Sequence, residues 1–149
     1  MTTPPTEKSE ALDGARERRL TLKQAVSAVE TAAASPAADP KWHEINVREL
    51  ERLRDAFDEH VAEVEAEDGL LPELTRSAPR LHHSIVQVQQ EHPVICAQID
   101  AVITLATNAA PVDDVRDAAL EALLEIARHR QRGADLVYEG YMVDIGGVG

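Results

Sequence analysis

Apolar side chains recur every three or four residues along most of this chain, which is the spacing of one face of a helix. The clearest run is Leu50, Leu53, Phe57, Val61 and Val64. Prolines interrupt the periodic segments, and a proline disfavours helix at the residue before it. The pattern therefore predicts four helices, with approximate ranges 9–34, 42–71, 80–108 and 112–141.

Short connections between these segments predict an all-α, up-down-up-down four-helix bundle. We expect the bundle to occupy residues 9–142, after a disordered lead over 1–8 and before a flexible tail over 143–149. Pro93 falls inside the third helix and is expected to kink it or to mark a restart, because its nitrogen cannot donate to the preceding turn. The scarcity of aromatic residues, 3% of the chain, also favours helices over strands.

Composition narrows the classes of partner. The chain has 149 residues, enough for one domain, and 27 acidic against 15 basic residues give a net charge of −12. Such a charge repels nucleic acid and anionic membranes, and no apolar run is long enough to span a bilayer. Cys96 is the only cysteine, so a thiolate zinc cluster is excluded. The first eight residues lack the apolar stretch of a secretory signal, which favours a cytoplasmic location.

Three histidines are predicted to point into the bundle. Side chains seven residues apart on a helix nearly superimpose, and this places His60 above Leu53, within the apolar stripe of the second helix. His92 lies at the centre of the apolar line of the third helix. His129 shares its face with small residues, among them Gly133, which leaves space for a ligand or a close neighbouring helix.

Carboxylates accompany these histidines. Glu67 continues the stripe that contains His60, and Glu63 lies at its flank, whereas Glu65 is expected to point away. Glu125 lies one turn before the histidine of the fourth helix. Imidazole and carboxylate donors on facing helices suit iron, manganese or zinc, so the pattern predicts a metal site in the bundle core.

Each of these features also has an ordinary interpretation. A single inward histidine is more often a satisfied core residue, and an acidic interval is more often a solvated helix face. The alternative to a metal site is a metal-free bundle whose inward polar groups form a hydrogen-bond network or line a small-molecule pocket. Such a protein would act as a binding or protein-interaction module.

Over residues 42–140 the chain resembles the hemerythrin-like family, also called HHE cation-binding domains. The resemblance lies in the segment 57–72, in the Glu91-His92 pair and in the segment 123–129. It implies a four-helix bundle around a non-haem iron centre, with di-iron favoured and a single Fe, Mn or Zn ion as the alternative. It also implies a redox or sensing role in which the metal binds O2, peroxide or a small nitrogen oxide.

The resemblance assigns the metal ligands residue by residue. His60, His92 and His129 would supply nitrogen, Glu63 and Glu67 would supply terminal or bridging carboxylates, and Glu125 is a further candidate. Three features depart from the family pattern: Val64 and Gly133 stand where a second ligand follows the histidine, and the first helix has no histidine. These departures leave two hypotheses, a carboxylate-richer variant and a bundle without metal. Catalytic turnover is not implied, and a homodimer through the first or fourth helix is a further hypothesis.

Overall fold

The computed structural model describes residues 20–143, which form helices joined by short turns. In chain order the elements are α1 (Leu22–Ala34), α2 (Trp42–Glu65), α3 (Leu70–Ser77), a 3-10 turn (Pro79–Leu81), α4 (His82–Thr107), α5 (Val112–Val137) and a π-helical segment (Tyr138–Val143). No strand occurs in this part of the chain, which confirms the predicted all-α class.

The four long helices form a bundle. α1 packs against α2, α2 against α4, α4 against α5, and α5 returns to contact α1, so the helices enclose a common core. The short helix α3 packs against α2 and α4. None of the helices described combines the length and the apolar character needed to cross a bilayer.

The first helix of the described residues begins at Leu22, whereas the prediction placed its start at residue 9. Thr21 caps α1: its side chain accepts a hydrogen bond from the Gln24 backbone, and the Gln24 side chain accepts one from the Thr21 backbone. This reciprocal pair satisfies two amide groups that a helix start leaves without partners, so a single helix over 9–34 is wrong at this boundary. The predicted lead over 1–8 lies outside the described residues, as do residues 9–19 and 144–149.

The second helix ends at Glu65 rather than near residue 71. The chain turns tightly over residues 66–69, and a Cβ atom on Gly69 would clash with the carbonyl oxygen of Glu63 and come within 2.9 Å of that of Val64. Glycine is therefore required for this close approach. Pro72 lies in the first turn of α3, where the lack of an N–H costs no helical hydrogen bond.

The third predicted helix is continuous through Pro93 from His82 to Thr107. Of the two outcomes expected there, a kink or a restart, the restart is therefore wrong. Pro93 is exposed and has no N–H for the carbonyl oxygen one helical turn before it. That oxygen can instead accept a hydrogen bond from water. The last α-helix, predicted to reach Tyr141, ends at Val137 and is followed by the π-helical segment.

Apolar side chains in the bundle form two separate clusters. The larger core includes Trp42, Leu50, Leu53, Phe57, Ile95, Ile99, Val115 and Ile126. The smaller core comprises Leu71, Leu74, Ala78, Leu81, Ile85, Val88 and Leu136. α4 contributes Val88 to the smaller core and Ile95 to the larger one, and His92 lies between these two residues in the chain. A polar layer thus interrupts the apolar interior.

Candidate metal centre

The polar layer is a cluster of three histidines from three helices. His60 of α2 is half-buried, whereas His92 of α4 and His129 of α5 each expose only 2% of their surface. Candidate ligand nitrogens of the three rings all lie within 4.8 Å of one another. The helical spacing predicted that each of these side chains would point inward, and their burial confirms it.

Phe57 packs against all three imidazole rings. Its ring centroid lies 5.7 Å from that of His60, 6.0 Å from that of His92 and 5.8 Å from that of His129. The histidine rings themselves are closest for His92 and His129, at 4.8 Å between centroids. Because Phe57 belongs to the larger core, it joins that core to the histidine cluster and limits how the rings can rotate.

A carboxylate fixes the orientation of His92. Glu65, the last residue of α2, places Oε1 2.7 Å from His92 Nδ1. Since an ionised carboxylate can only accept a hydrogen bond, Nδ1 must carry the proton and donate it. The expectation that Glu65 points away from the core was therefore wrong: its long side chain reaches across to α4.

A second carboxylate holds His129 in the same way. Glu91 Oε1 lies 3.1 Å from His129 Nδ1, and the other carboxylate oxygen of Glu91 pairs with Arg132. Burial opposes ionisation of Glu91, but hydrogen bonds from Arg132 and His129 outweigh it and lower the pKa of this carboxyl. Glu91 therefore links the His129 ring to Arg132.

The hydrogen bond at Nδ1 leaves Nε2 of His92 buried and without a partner. Among the described side chains it is the only buried nitrogen or oxygen atom in that condition. In the neutral ring with its proton on Nδ1, Nε2 carries a free lone pair. An imidazole that donates from one nitrogen to a carboxylate and offers the other is the usual arrangement of a metal-binding histidine.

Electrostatics also favour neutral rings at two of the three positions. Burial, together with the charges of His129, His92 and Arg130, lowers the pKa of His60 to about 4. Burial likewise lowers the pKa of His129, although its hydrogen bond to Glu91 opposes the shift. Both rings are thus neutral at pH 7, the protonation state that a metal ion requires of an imidazole ligand.

The cluster borders a cavity of about 430 Å³. All three histidines line it, together with apolar side chains of α2, α3, α4 and α5. Gly133 also lines it, and a Cβ atom at this position would meet nothing within 4 Å. The space that the sequence predicted beside His129 is therefore present.

The structure does not bring the predicted carboxylate ligands into the cluster. Glu63 is exposed and lines a separate depression next to His60, and Glu67 is exposed in the turn after α2. Glu125 is half-buried and pairs with Arg128, with an oxygen 2.8 Å from its guanidinium. The part assigned to these three acids as metal ligands stays a prediction.

Comparison of the chain with protein-family models, curated proteins and solved structures gives no match. The functional assignment therefore depends on the geometry of the histidine cluster and of the cavity beside it. The resemblance to hemerythrin-like domains stays a prediction.

Proposed function

We propose that this protein binds one divalent transition-metal ion through the imidazole nitrogens of His60, His92 and His129. The observation that carries the proposal is the buried, unpartnered Nε2 of His92. It belongs to a triad in which one candidate ligand nitrogen from each ring lies within 4.8 Å of the other two. A tetrahedral ion with bonds of about 2.0–2.1 Å to nitrogen separates its ligands by roughly 3.3 Å, so small ring movements would close the site.

The helices are proposed to alternate in direction as an up-down-up-down bundle.

The donor set favours one ion over two. Paired ions in a bundle core are held by carboxylates that project inward from several helices. In the described part of the chain the only group of at least three candidate ligands is the histidine triad, which contains no carboxylate. The proposed site therefore holds one metal ion with fewer ligands than the di-iron centre that the hemerythrin-like resemblance implies.

Iron and zinc are the metals that best suit this proposal. Imidazole nitrogen suits both, whereas manganese prefers carboxylate, carbonyl and water oxygens. Three protein ligands leave at least one coordination position for an exogenous ligand, and all three histidines line the cavity. With iron bound, such a position would take O2, peroxide or a small nitrogen oxide, which supports a binding or sensing role without implying turnover.

Elemental analysis tests the proposal directly. The full chain is expressed with added iron or zinc and purified without chelator, and we expect close to one metal ion per chain. The variant His92→Ala should lose the metal. The matched control is His83→Ala, which removes an exposed histidine of the same helix and should keep the metal.

The absence of metal from well-folded wild-type protein would overturn the proposal, as would equal metal content in the two variants. Circular dichroism of each variant separates loss of metal from loss of fold. Two iron ions per chain would instead support the di-iron centre and show that additional ligands take part.

The size of the cavity favours one second candidate, a metal-free pocket for a small molecule. At about 430 Å³ its volume falls in the range typical of ligand sites. In that protein the histidines would act as hydrogen-bonding groups, and His92→Ala would weaken ligand binding without any metal to lose.

A further inference from the structure

The cavity beside the histidine cluster has a charge opposite to that of the protein. Lys23 of α1 and Arg130 of α5 line it, and none of its lining residues is acidic. The whole chain has a net charge of −12. The neighbouring depression at His60 follows the general trend, since Glu59 and Glu63 line it. The cavity is therefore a local exception in a strongly acidic molecule.

One of the two cationic residues is adjacent to a histidine of the cluster. Arg130 directly follows His129 in α5, and both residues line the cavity. Arg130 and Lys23 are both exposed, so they border the opening rather than the interior. An anion that enters the cavity would meet them first.

The rest of the wall is apolar. Val64, Leu71, Val88 and Val137 line the cavity, and Gly133 leaves part of the adjacent space open. Burial of a hydrocarbon chain against such a wall lowers the free energy of binding. The same wall offers few hydrogen-bond partners to a strongly hydrated ion such as phosphate. A ligand matched to both parts carries one anionic group and a short apolar body.

We propose that this cavity binds a small aliphatic monocarboxylate, with its carboxylate at the histidine and Arg130 end and its hydrocarbon chain along Val64, Leu71 and Val88. The proposed metal ion would supply further positive charge to the carboxylate, and in that respect the site rests on the proposed function. The cationic opening and the apolar wall belong to the protein itself. Carboxylate binding and metal binding can therefore be measured separately.

Calorimetric titration of the full chain with hexanoate tests the proposal, with hexan-1-ol as the uncharged control of equal chain length. The titrations are run on metal-loaded and metal-free protein, with metal content measured in each. We expect hexanoate to bind at least tenfold more tightly than hexan-1-ol in the metal-loaded protein. Equal affinities would overturn the proposal, because the cavity would then select for apolar character alone, and so would the absence of hexanoate binding.

Two variants locate the ligand. Arg130→Gln should weaken hexanoate binding about tenfold and leave hexan-1-ol unaffected, whereas Arg128→Gln, an exposed arginine of the same helix that does not line the cavity, should change neither. Gly133→Val should narrow the cavity and weaken hexanoate binding while the protein keeps its fold, because the added Cβ meets no atom within 4 Å. Undiminished hexanoate binding in both Arg130→Gln and Gly133→Val would place the carboxylate elsewhere and overturn the proposal.

The outcomes for metal and for carboxylate can be distinguished. A chain that retains one metal ion but does not bind hexanoate contradicts the carboxylate site alone. A chain without metal that binds hexanoate in an Arg130-dependent way contradicts the metal proposal and supports the carboxylate site.

Discussion

Two buried polar side chains, one beside the larger core and one between the cores, differ in whether their nitrogen atoms have hydrogen-bond partners. Asn46 exposes 2% of its surface, and its side-chain nitrogen donates to the carbonyl oxygens of Ala32 and Trp42, at 3.1 Å and 2.9 Å. His92 is buried to the same degree, yet its Nε2 atom has no partner.

The contrast separates a structural polar group from one that is available for binding. Asn46 ties α2 to the end of α1 and leaves its donor nitrogen satisfied, so it contributes to stability. A buried nitrogen without a partner costs about 1–3 kcal/mol of desolvation, and His92 retains that cost in the metal-free protein. Sites of this kind, where a local rule of stability is broken, are where function is expected.

The largest effect should come from Phe57, the residue that joins the larger core to the histidine cluster. Phe57→Ala should lower the free energy of unfolding by about 3–5 kcal/mol, because it removes a fully buried ring. It should also weaken metal binding, since Phe57 packs against all three imidazoles. Urea denaturation and metal titration measure the two effects, with Phe57→Leu as the conservative control. A loss of stability below about 1 kcal/mol would show that the ring is not an anchor.

Replacing each buried polar residue by leucine sharpens the comparison most directly. In metal-free protein Asn46→Leu should destabilise by about 1–3 kcal/mol, because it removes two hydrogen bonds. His92→Leu should be neutral or stabilising, because it removes the unpartnered nitrogen and leaves behind only the half-exposed carboxylate of Glu65. Urea denaturation of both variants without metal gives the answer. Equal destabilisation would contradict the distinction between the two residues.

A smaller effect is expected from the carboxylate that orients His129. Glu91→Gln keeps an oxygen that accepts from Nδ1 but loses the charge, and we expect metal affinity to fall about tenfold, roughly 1.4 kcal/mol. Glu125→Gln is the comparison variant, because Glu125 pairs with Arg128 and, at 3.9 Å, with Arg132, but with no histidine. Competition titration against a chromophoric chelator measures both. A larger loss for Glu125→Gln would instead support its predicted part as a ligand.

The smallest effect concerns pH. Burial lowers the pKa of His60 from 6.5 to about 4. Between pH 6.5 and about pH 4, His60 is therefore protonated in the unfolded chain but neutral in the folded protein. The metal-free protein should therefore lose stability as the pH falls below about 6.5, with no contribution from His60 above it. His60→Gln should flatten the fall of Tm between pH 7 and 5, whereas His83→Gln should not. Parallel curves for His60→Gln and wild type would refute this origin of the pH dependence.

The helical spacing was sufficient to predict the bundle and the inward direction of the three histidines. Periodicity fixes the direction of a side chain about its own helix axis, and His92 and His129 are buried where it placed them. It does not fix which neighbouring helix lies to the left or right. The contact of Glu65 with His92 depends on that arrangement, and so does the contact of Glu91 with His129, so neither pairing could be derived.

The wrong helix boundaries have a similar cause. The apolar pattern continues past Glu65 through Leu71, yet the helix ends at Glu65 and the chain turns at residues 66–69. Gly69 permits this turn, because a side chain there would clash with the preceding carbonyl groups. At the other end, the Thr21 capping box with Gln24 was readable in the sequence as a signal for a helix start. Attention to such caps would have corrected the first boundary.

X-ray absorption spectroscopy at the zinc edge of the metal-loaded chain tests the central claim most directly. We predict three imidazole nitrogens at about 2.0–2.1 Å from the metal, with the remaining position filled by oxygen. The imidazole signal should disappear in His92→Ala and persist in His83→Ala. Ligands that are oxygen alone, or that include the sulfur of Cys96 at about 2.3 Å from the metal, would contradict the histidine site.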